Sequence, residues 1–366
     1  MNGNPVSASS DVVVAGDGVI GLAITMHLAA RGASVALLAP ELHGAASPAS
    51  AGMLAPSVER TQGPAQAFGD AARDAWPRLR SMVERAGGAT FEIRRDGILC
   101  VARTPDDSAR LRATLRAGDV WLTADEARRR EPALGEVDGA ALYAGDGVVD
   151  APAALSALQG ALRASRLVTV HAGALREVAR VREASIAKTM SGETIRANAV
   201  VIATGAWSAR VAGLPRRLPV RPLRGVIVGV DGPRIETPMY AAAGHAYLFP
   251  RGGRTMIGAT SDEAGFDATP APGDVERLIS AAAEIVPGVR DATRTRPLCG
   301  LRPMTPDGLP IIGSDPAMIG THYACGHGRN GFLHAALTGE VVAKLVAGEP
   351  PGFDLKPFDP TRFILE

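Results

Sequence analysis

The segment Gly16-Asp17-Gly18-Val19-Ile20-Gly21 constrains this chain more than any other, because of what stands on either side of it. Asp11 to Ala15 precedes it with three consecutive valines, a β-branched run suited to a buried parallel strand. After it, Ile20, Ile24 and Leu28 recur at helical spacing as far as Arg31, and Gly32 falls at the position where helices often end on a left-handed residue. Ser34 to Ala39 reads as a second strand. Strand, turn, helix and strand in close succession make a βαβ unit. In that context the three glycines do different things. Gly16 permits the tight turn, Gly18 lets backbone approach a pyrophosphate, and Gly21 lets helix and strand pack closely. The N–H groups around Gly18, Val19 and Ile20 open the helix and present donors and positive dipole to phosphate. A dinucleotide site is therefore predicted on Gly16, Gly18, Val19, Ile20 and Gly21, against the alternative of an incidental glycine-rich turn. Two neighbours depart from the pattern. Ala39 stands where an acid would bind ribose, with Glu41 beyond Pro40, and Asp17 sets a carboxylate beside the phosphates.

Along the rest of the chain two kinds of pattern alternate. Helices are predicted over Asp70 to Ala86, Ala151 to Ala164, Asp274 to Val286 and Gly331 to Ala347, with a charged, mostly helical stretch from Asp106 to Arg130 around Gly118-Asp119. Strands are predicted over Val168 to Val178, Ile186 to Ala199 and Ala199 to Ala203. From Val220 to Ala259 strand signals recur between turn residues and suggest an antiparallel sheet. The fold class expected is α/β plus α+β: a Rossmann-type dinucleotide domain interleaved with a second domain on an antiparallel sheet.

Composition mainly excludes. The net charge is 39 − 38 = +1, so no global field favours nucleic acid or an anionic membrane. No stretch approaches the ~20 apolar residues of a membrane helix, and Met1 to Ser10 lacks the layout of a signal peptide. Cys100, Cys299 and Cys325 are scattered and odd in number, which fits a reducing compartment; a cytoplasmic protein is expected. His322-x-x-Cys325-x-His327, with His334 beyond, has spacing that could ligate zinc, but the turn Gly326 to Asn330 that opens the last helix accounts for the same stretch, and no metal is expected.

Further blocks follow in order: Gly44-Ala45-Ala46-Ser47, Ala51-Gly52-Met53-Leu54-Ala55-Pro56, Asp146-Gly147-x-Val149-Asp150, Ala203-Thr204-Gly205-Ala206-Trp207-Ser208 and Arg221-Pro222-Leu223-Arg224-Gly225. The last are Gly300-Leu301-Arg302-Pro303-x-Thr305-Pro306-Asp307-Gly308-Leu309-Pro310 and Gly326-His327-x-Arg329-Asn330-Gly331. With the glycine loop, this series resembles the glycine oxidase branch of the D-amino-acid oxidase-like flavoproteins, over residues 11 to about 347. The stretch from Gly88 through Gly145 carries little of the likeness. The resemblance implies an FAD-binding domain assembled from residues 1–87, 145–216 and 298–366, and a substrate domain from 88–144 and 217–297. It also implies noncovalent FAD, since Gly300 stands where some relatives carry a flavin-linked cysteine and Cys299 is one residue off.

The same resemblance assigns roles. Ala46, Ser47, Gly52, Met53, Gly205 and Trp207, with Arg302 and the turn His327, Gly328, Arg329, Asn330 and Gly331, fall at cofactor-contacting positions. Arg302 sits where the family binds the substrate carboxylate, a role suited to a guanidinium's forked donors. Its bland alternative is a surface ion pair. Tyr247 would add a donor near that carboxylate, against a core tyrosine, and His245 is balanced between pocket and structural roles. Arg329 at the mouth of the last helix would support charge on reduced flavin, against an exposed cap. Met53 lines the slot or merely fills core. Ser261 and Gly328 stand where larger residues are expected, which favours a substrate somewhat bulkier or more polar than glycine.

The expected reaction is FAD-dependent oxidation of the C–N bond of a small amino acid or related amine (glycine, sarcosine, a D-amino acid or an analogue), with O₂ as acceptor and imine or keto acid, ammonia and peroxide as products. The rivals are a dehydrogenase using another acceptor, as in the cyanide-forming glycine dehydrogenases, a biosynthetic tailoring flavoenzyme, a flavoprotein scaffold without catalysis, and a nicotinamide-dependent dehydrogenase. A homo-oligomer is compatible with all of these.

Overall fold

The computed structural model describes residues 8–59, 63–242, 244 and 246–363. The valine run does form a strand, Ala8–Ala15, and its four residues Val12 to Ala15 are fully buried. It lies at the centre of an eight-stranded sheet, parallel to Val35–Leu38 on one side and to Thr194–Ile202 on the other. Thr321–Cys325 adds a further parallel strand next to Thr194–Ile202. Strands buried on both faces need apolar residues at successive positions, which is why the run lacks alternation. The helix after the glycine loop, Val19–Ala30, is buried on nearly every side, and the C-terminal helix Gly331–Val346 lies against it. At their crossing a β-carbon on Gly339 would come within 2.9 Å of the Ala23 backbone, so the approach depends on that glycine. Helix Ala151–Ala164 packs beside them, opened by the Asp150 side chain accepting from the Ala153 N–H at 3.1 Å.

A second, nine-stranded sheet runs in the order Thr293–Arg294, Arg221–Asp231, Arg254–Gly258, Tyr247–Arg251, Met239–Ala241, Ile98–Ala102, Gly139–Tyr143 and Val120–Thr123. It is antiparallel except where Met239–Ala241 runs parallel to Ile98–Ala102. Its ninth strand, Leu298–Met304, pairs with Arg221–Asp231 and carries the sheet past the boundary expected at residue 297. That strand also reaches the first half of the chain, because the Leu301 N–H donates to the Gly44 carbonyl at 2.9 Å.

Some local expectations need correction. Asp106 to Arg130 is not one interrupted helix. Helices Pro105–Arg112 and Ala124–Arg130 each open on a reciprocal cap, Thr104 with Asp107 and Thr123 with Glu126. Between them Gly118 takes φ +93° and Val120–Thr123 becomes the edge strand of the second sheet. The segment read as a strand over Val168 to Val178 breaks into Val168–His171 and Leu175–Val181, in different places of the first sheet. The helix expected from Asp70 begins earlier, at Gly63.

Candidate active site

Between the two sheets lies a cavity of about 780 Å³, running from the glycine loop to Arg302. At the loop end the wall is mostly backbone. Gly16 takes φ +111°, and a β-carbon there would stand 2.4 Å from the Ala203 carbonyl oxygen. Gly21 lies off the cavity, directly behind Gly16, where a β-carbon would come 1.8 Å from the Gly16 oxygen. Gly18, Val19 and Ile20 face the cavity, as do Ala46, Ser47, Gly205 and Trp207. Of the helix-opening donors, the Val19 N–H is already taken by the Ser47 hydroxyl at 3.0 Å, which fastens the 44–49 loop over the helix mouth. Asp17 also lines this end, and burial raises its carboxyl, while Arg163 opposes the rise. Glu41 is exposed and off the cavity.

Gly52, expected at the cofactor, does not itself line the cavity. It takes φ +75° with a β-carbon position 2.1 Å from the Val149 oxygen, so it serves a backbone crossing that aims its neighbours Ala51 and Met53 at the cavity. The Ala51–Met53 segment is held further by Arg251, whose Nη2 donates to the Ser50 carbonyl at 2.6 Å.

At the other end the wall is made of long side chains resting on glycines. Arg302 comes from Leu298–Met304, where it pairs with Leu223, and its guanidinium crosses to the neighbouring Gly225. A β-carbon on Gly225 would lie 2.3–2.5 Å from three guanidinium atoms. Arg302 Nη1 donates to the Thr260 carbonyl at 2.9 Å, which leaves the rest of the fork facing the cavity. Tyr247 stands opposite Gly258, and its ring occupies the space a β-carbon would need, with ring atoms 2.6–2.8 Å from that point. Burial pushes the Tyr247 hydroxyl above its ordinary range, so it is present as a donor.

Residues that sequence reasoning missed complete this end. Tyr240 packs its ring 5.4 Å from that of Tyr247, and Glu59 lines the wall beside Arg329, 3.9 Å from its Nη1. Burial raises the Glu59 carboxyl, while Arg329 and Arg302 oppose the rise. Arg329 itself is half exposed. His327 and Gly328 to Gly331 line the cavity where the last helix begins. The His327 ring is buried against Thr338, with Nε2 3.2 Å from its hydroxyl, and burial holds it neutral. Gly328 takes φ +57°, so its small size answers a left-handed backbone as well as pocket width. Ser261 lines the cavity as well. His245 lies outside the described residues.

For a metal, the geometry offers little: His322 Nδ1 pairs with the Ser314 hydroxyl at 2.9 Å, and no group of three or more potential ligands gathers among the described residues. No described helix is long and apolar enough to cross a membrane. A cavity that starts on a glycine-lined helix mouth and ends on an arginine beside Tyr247 fits FAD and a small carboxylate-bearing molecule in series. The missing β-carbon at Gly16 lets the loop lie against the Ala203 carbonyl, and that at Gly18 lets the Ser47 side chain close in, so the loop presents its backbone to the cavity.

Comparison with known proteins agrees. The chain is 36% identical to the glycine oxidase of Geobacillus kaustophilus over 97% of both chains, and 32% identical to that of Bacillus licheniformis over 93% and 94% of the two. The crystal structure of the Geobacillus kaustophilus glycine oxidase superposes with a TM-score of 0.89, at 35% identity, over 98% of this chain and all of that one. The family described as "DAO: FAD dependent oxidoreductase" matches residues 11–345. This chain belongs to that family, and is an FAD-dependent oxidoreductase acting on C–N donors.

Proposed function

We propose that the chain oxidises the C–N bond of a small amino acid such as glycine, or a close amine analogue, and passes the electrons to O₂. The observation that carries this reading is the Arg302 guanidinium, laid on Gly225 with one Nη on the Thr260 carbonyl and the remaining fork turned into the cavity beside Tyr247. Gly16, Gly18, Val19, Ile20, Ala46, Ser47, Gly205, Trp207 and the turn 327–331 would hold FAD, which when bound supplies a two-electron acceptor. Noncovalent attachment is supported by Cys299, which would be the nearest candidate for a flavin link but does not line the cavity; Cys100 and Cys325 do line it, and burial pushes the Cys325 thiol up to about 12.

Arg302 receives the substrate carboxylate in two parallel hydrogen bonds, and the Tyr247 hydroxyl adds a third. Met53, Ala51 and Ile227, which line the cavity, close an apolar slot that excludes water around Cα. The amine reacts unprotonated, its lone pair forming the imine as hydride leaves Cα, and the imine hydrolyses in water to keto acid and ammonia. Arg302→Ala should raise the apparent KM for an amino acid by roughly two to three orders of magnitude, since losing one partner of a desolvated charge pair costs ~2–5 kcal/mol. Arg302→Lys should recover only part, because an ammonium keeps the charge without the fork. If a decarboxylated amine suffers as much as the amino acid, Arg302 is not the anchor. Peroxide formed in step with ammonia tests O₂ as acceptor.

A further inference from the structure

Asp146 opens a sequence block to which the site gave no role. It is fully buried and lies behind the substrate end of the cavity. Its carboxylate accepts the Ser57 N–H at 3.0 Å, the Val58 N–H at 3.1 Å and the Ser57 hydroxyl at 2.9 Å, with Arg73 Nη1 3.5 Å away. The two N–H groups and the hydroxyl belong to one turn, which closes by the Glu59 N–H donating to the Ala55 carbonyl at 3.2 Å. Glu59 leaves that turn with its carboxyl on the cavity wall.

Among the described residues that line the cavity there are two carboxylates: Asp17 at the glycine loop and Glu59 beside Arg329. An amino acid held by its carboxylate on Arg302 still has an amine to satisfy, and at that end of the cavity Glu59 is the anionic acceptor. We infer that Glu59 accepts an N–H of the substrate amine and that Asp146 is the positioning residue that holds it in place. This rests on the amine-oxidising reading above. An asparagine could not replace Asp146, because its NH₂ would face donors where the carboxylate presents only acceptors.

The test uses the flavin-loaded enzyme and two probes read by perturbation of the flavin spectrum: glycine, which has both ends, and acetate, which has only the carboxylate. Glu59→Gln should weaken glycine about tenfold to a hundredfold, the range for losing a charge-assisted hydrogen bond, while acetate binds as before or tighter. Asp146→Asn should give the same split, and the double variant should be no worse than the weaker single one. Ser57→Ala, which removes one of the clamp's bonds, should give a smaller split that vanishes in the Glu59→Gln background. That pair decides the matter if Asp146→Asn does not fold. Equal loss of glycine and acetate, multiplying effects in the double variant, or no effect of Glu59→Gln on glycine overturns the inference, as does a wild type that binds acetate but not glycine. A wrong amine-oxidase reading looks different: glycine binds with the predicted split, yet no amine reduces the flavin.

Discussion

At the glycine-loop end of the cavity the wall is mostly backbone, and its central loop, Gly16 to Gly21, is one contiguous segment. At the Arg302 end it is long side chains from separate elements, with Arg302 and Tyr247 each laid over a glycine on a neighbouring strand. A backbone wall has no means to yield, since a β-carbon on Gly21 would meet the Gly16 carbonyl oxygen at 1.8 Å. A side-chain wall does, since a β-carbon on Gly225 would meet the tip of a flexible arginine. The first end should therefore fail by losing the cofactor and the fold, and the second by losing substrate affinity alone.

The largest effect should come from Gly21→Ala. Helix and loop must separate to admit the methyl group, so we expect no retained flavin and a drop in Tm of several degrees or more, in line with overpacking costs of ~1–3 kcal/mol. A yellow, stable Gly21→Ala protein would break the comparison.

Acid should separate the two ends next. His27 and His322 are held down to about 4 and His334 to about 3, all by burial, and all belong to elements of the first sheet and its helices. Histidines lowered in the fold give stability that is present above their unfolded value of about 6.5 and is lost as pH falls toward 3–4, on the order of 3 kcal/mol each. Asp146 works the other way, because burial raises it to about 6 and its ionised form costs stability above that pH. The histidines outweigh it. Between pH 7 and 4 flavin should be released, and unfolding should begin, before the antiparallel sheet loses protection in hydrogen exchange. Uniform loss of protection would argue against two ends of unequal acid sensitivity.

Gly225→Ala should be milder: KM for the amino acid up about tenfold from a displaced fork, an effect of ~1.4 kcal/mol, with Tm and flavin content close to wild type. The smallest effect is expected at Ser261. Ser261→Met should shift preference toward the smallest amines by a few-fold, because one side chain's change in an apolar slot discriminates weakly. An unchanged ranking of substrates would remove this position from specificity.

The same contrast explains what could be read from the sequence. The βαβ unit was legible because loop, strand and helix are contiguous and each glycine has a local reason. Arg302 was legible only through a family block, and its support was not. The signal was nonetheless present: Gly225 and Gly258 sit inside strand patterns, where glycine marks a close approach. Tyr240 and Glu59 had no such signal. Tyr240 reaches the cavity because Met239–Ala241 runs parallel to the distant Ile98–Ala102, and Glu59 because Asp146 clamps its turn from almost ninety positions away. Neither relation leaves a periodic trace. Gly52 is the opposite case, since its block was recognised but the left-handed backbone that serves the crossing at Val149 was not.

The stringing of the first sheet has a consequence for how the protein is made. Ala8–Ala15 lies next to Thr194–Ile202, which lies next to Thr321–Cys325, and the helix that covers the glycine loop's own helix is the last long one in the chain. On the ribosome, the valine run must wait, with one edge unpaired, until residues near 202 have emerged. Its helix stays uncovered until Gly331–Val346 follows. Such late, non-local closure is slow and leaves sticky edges exposed meanwhile. A message broken anywhere before residue 331 should thus yield an aggregating fragment that captures no flavin, and not a smaller working enzyme.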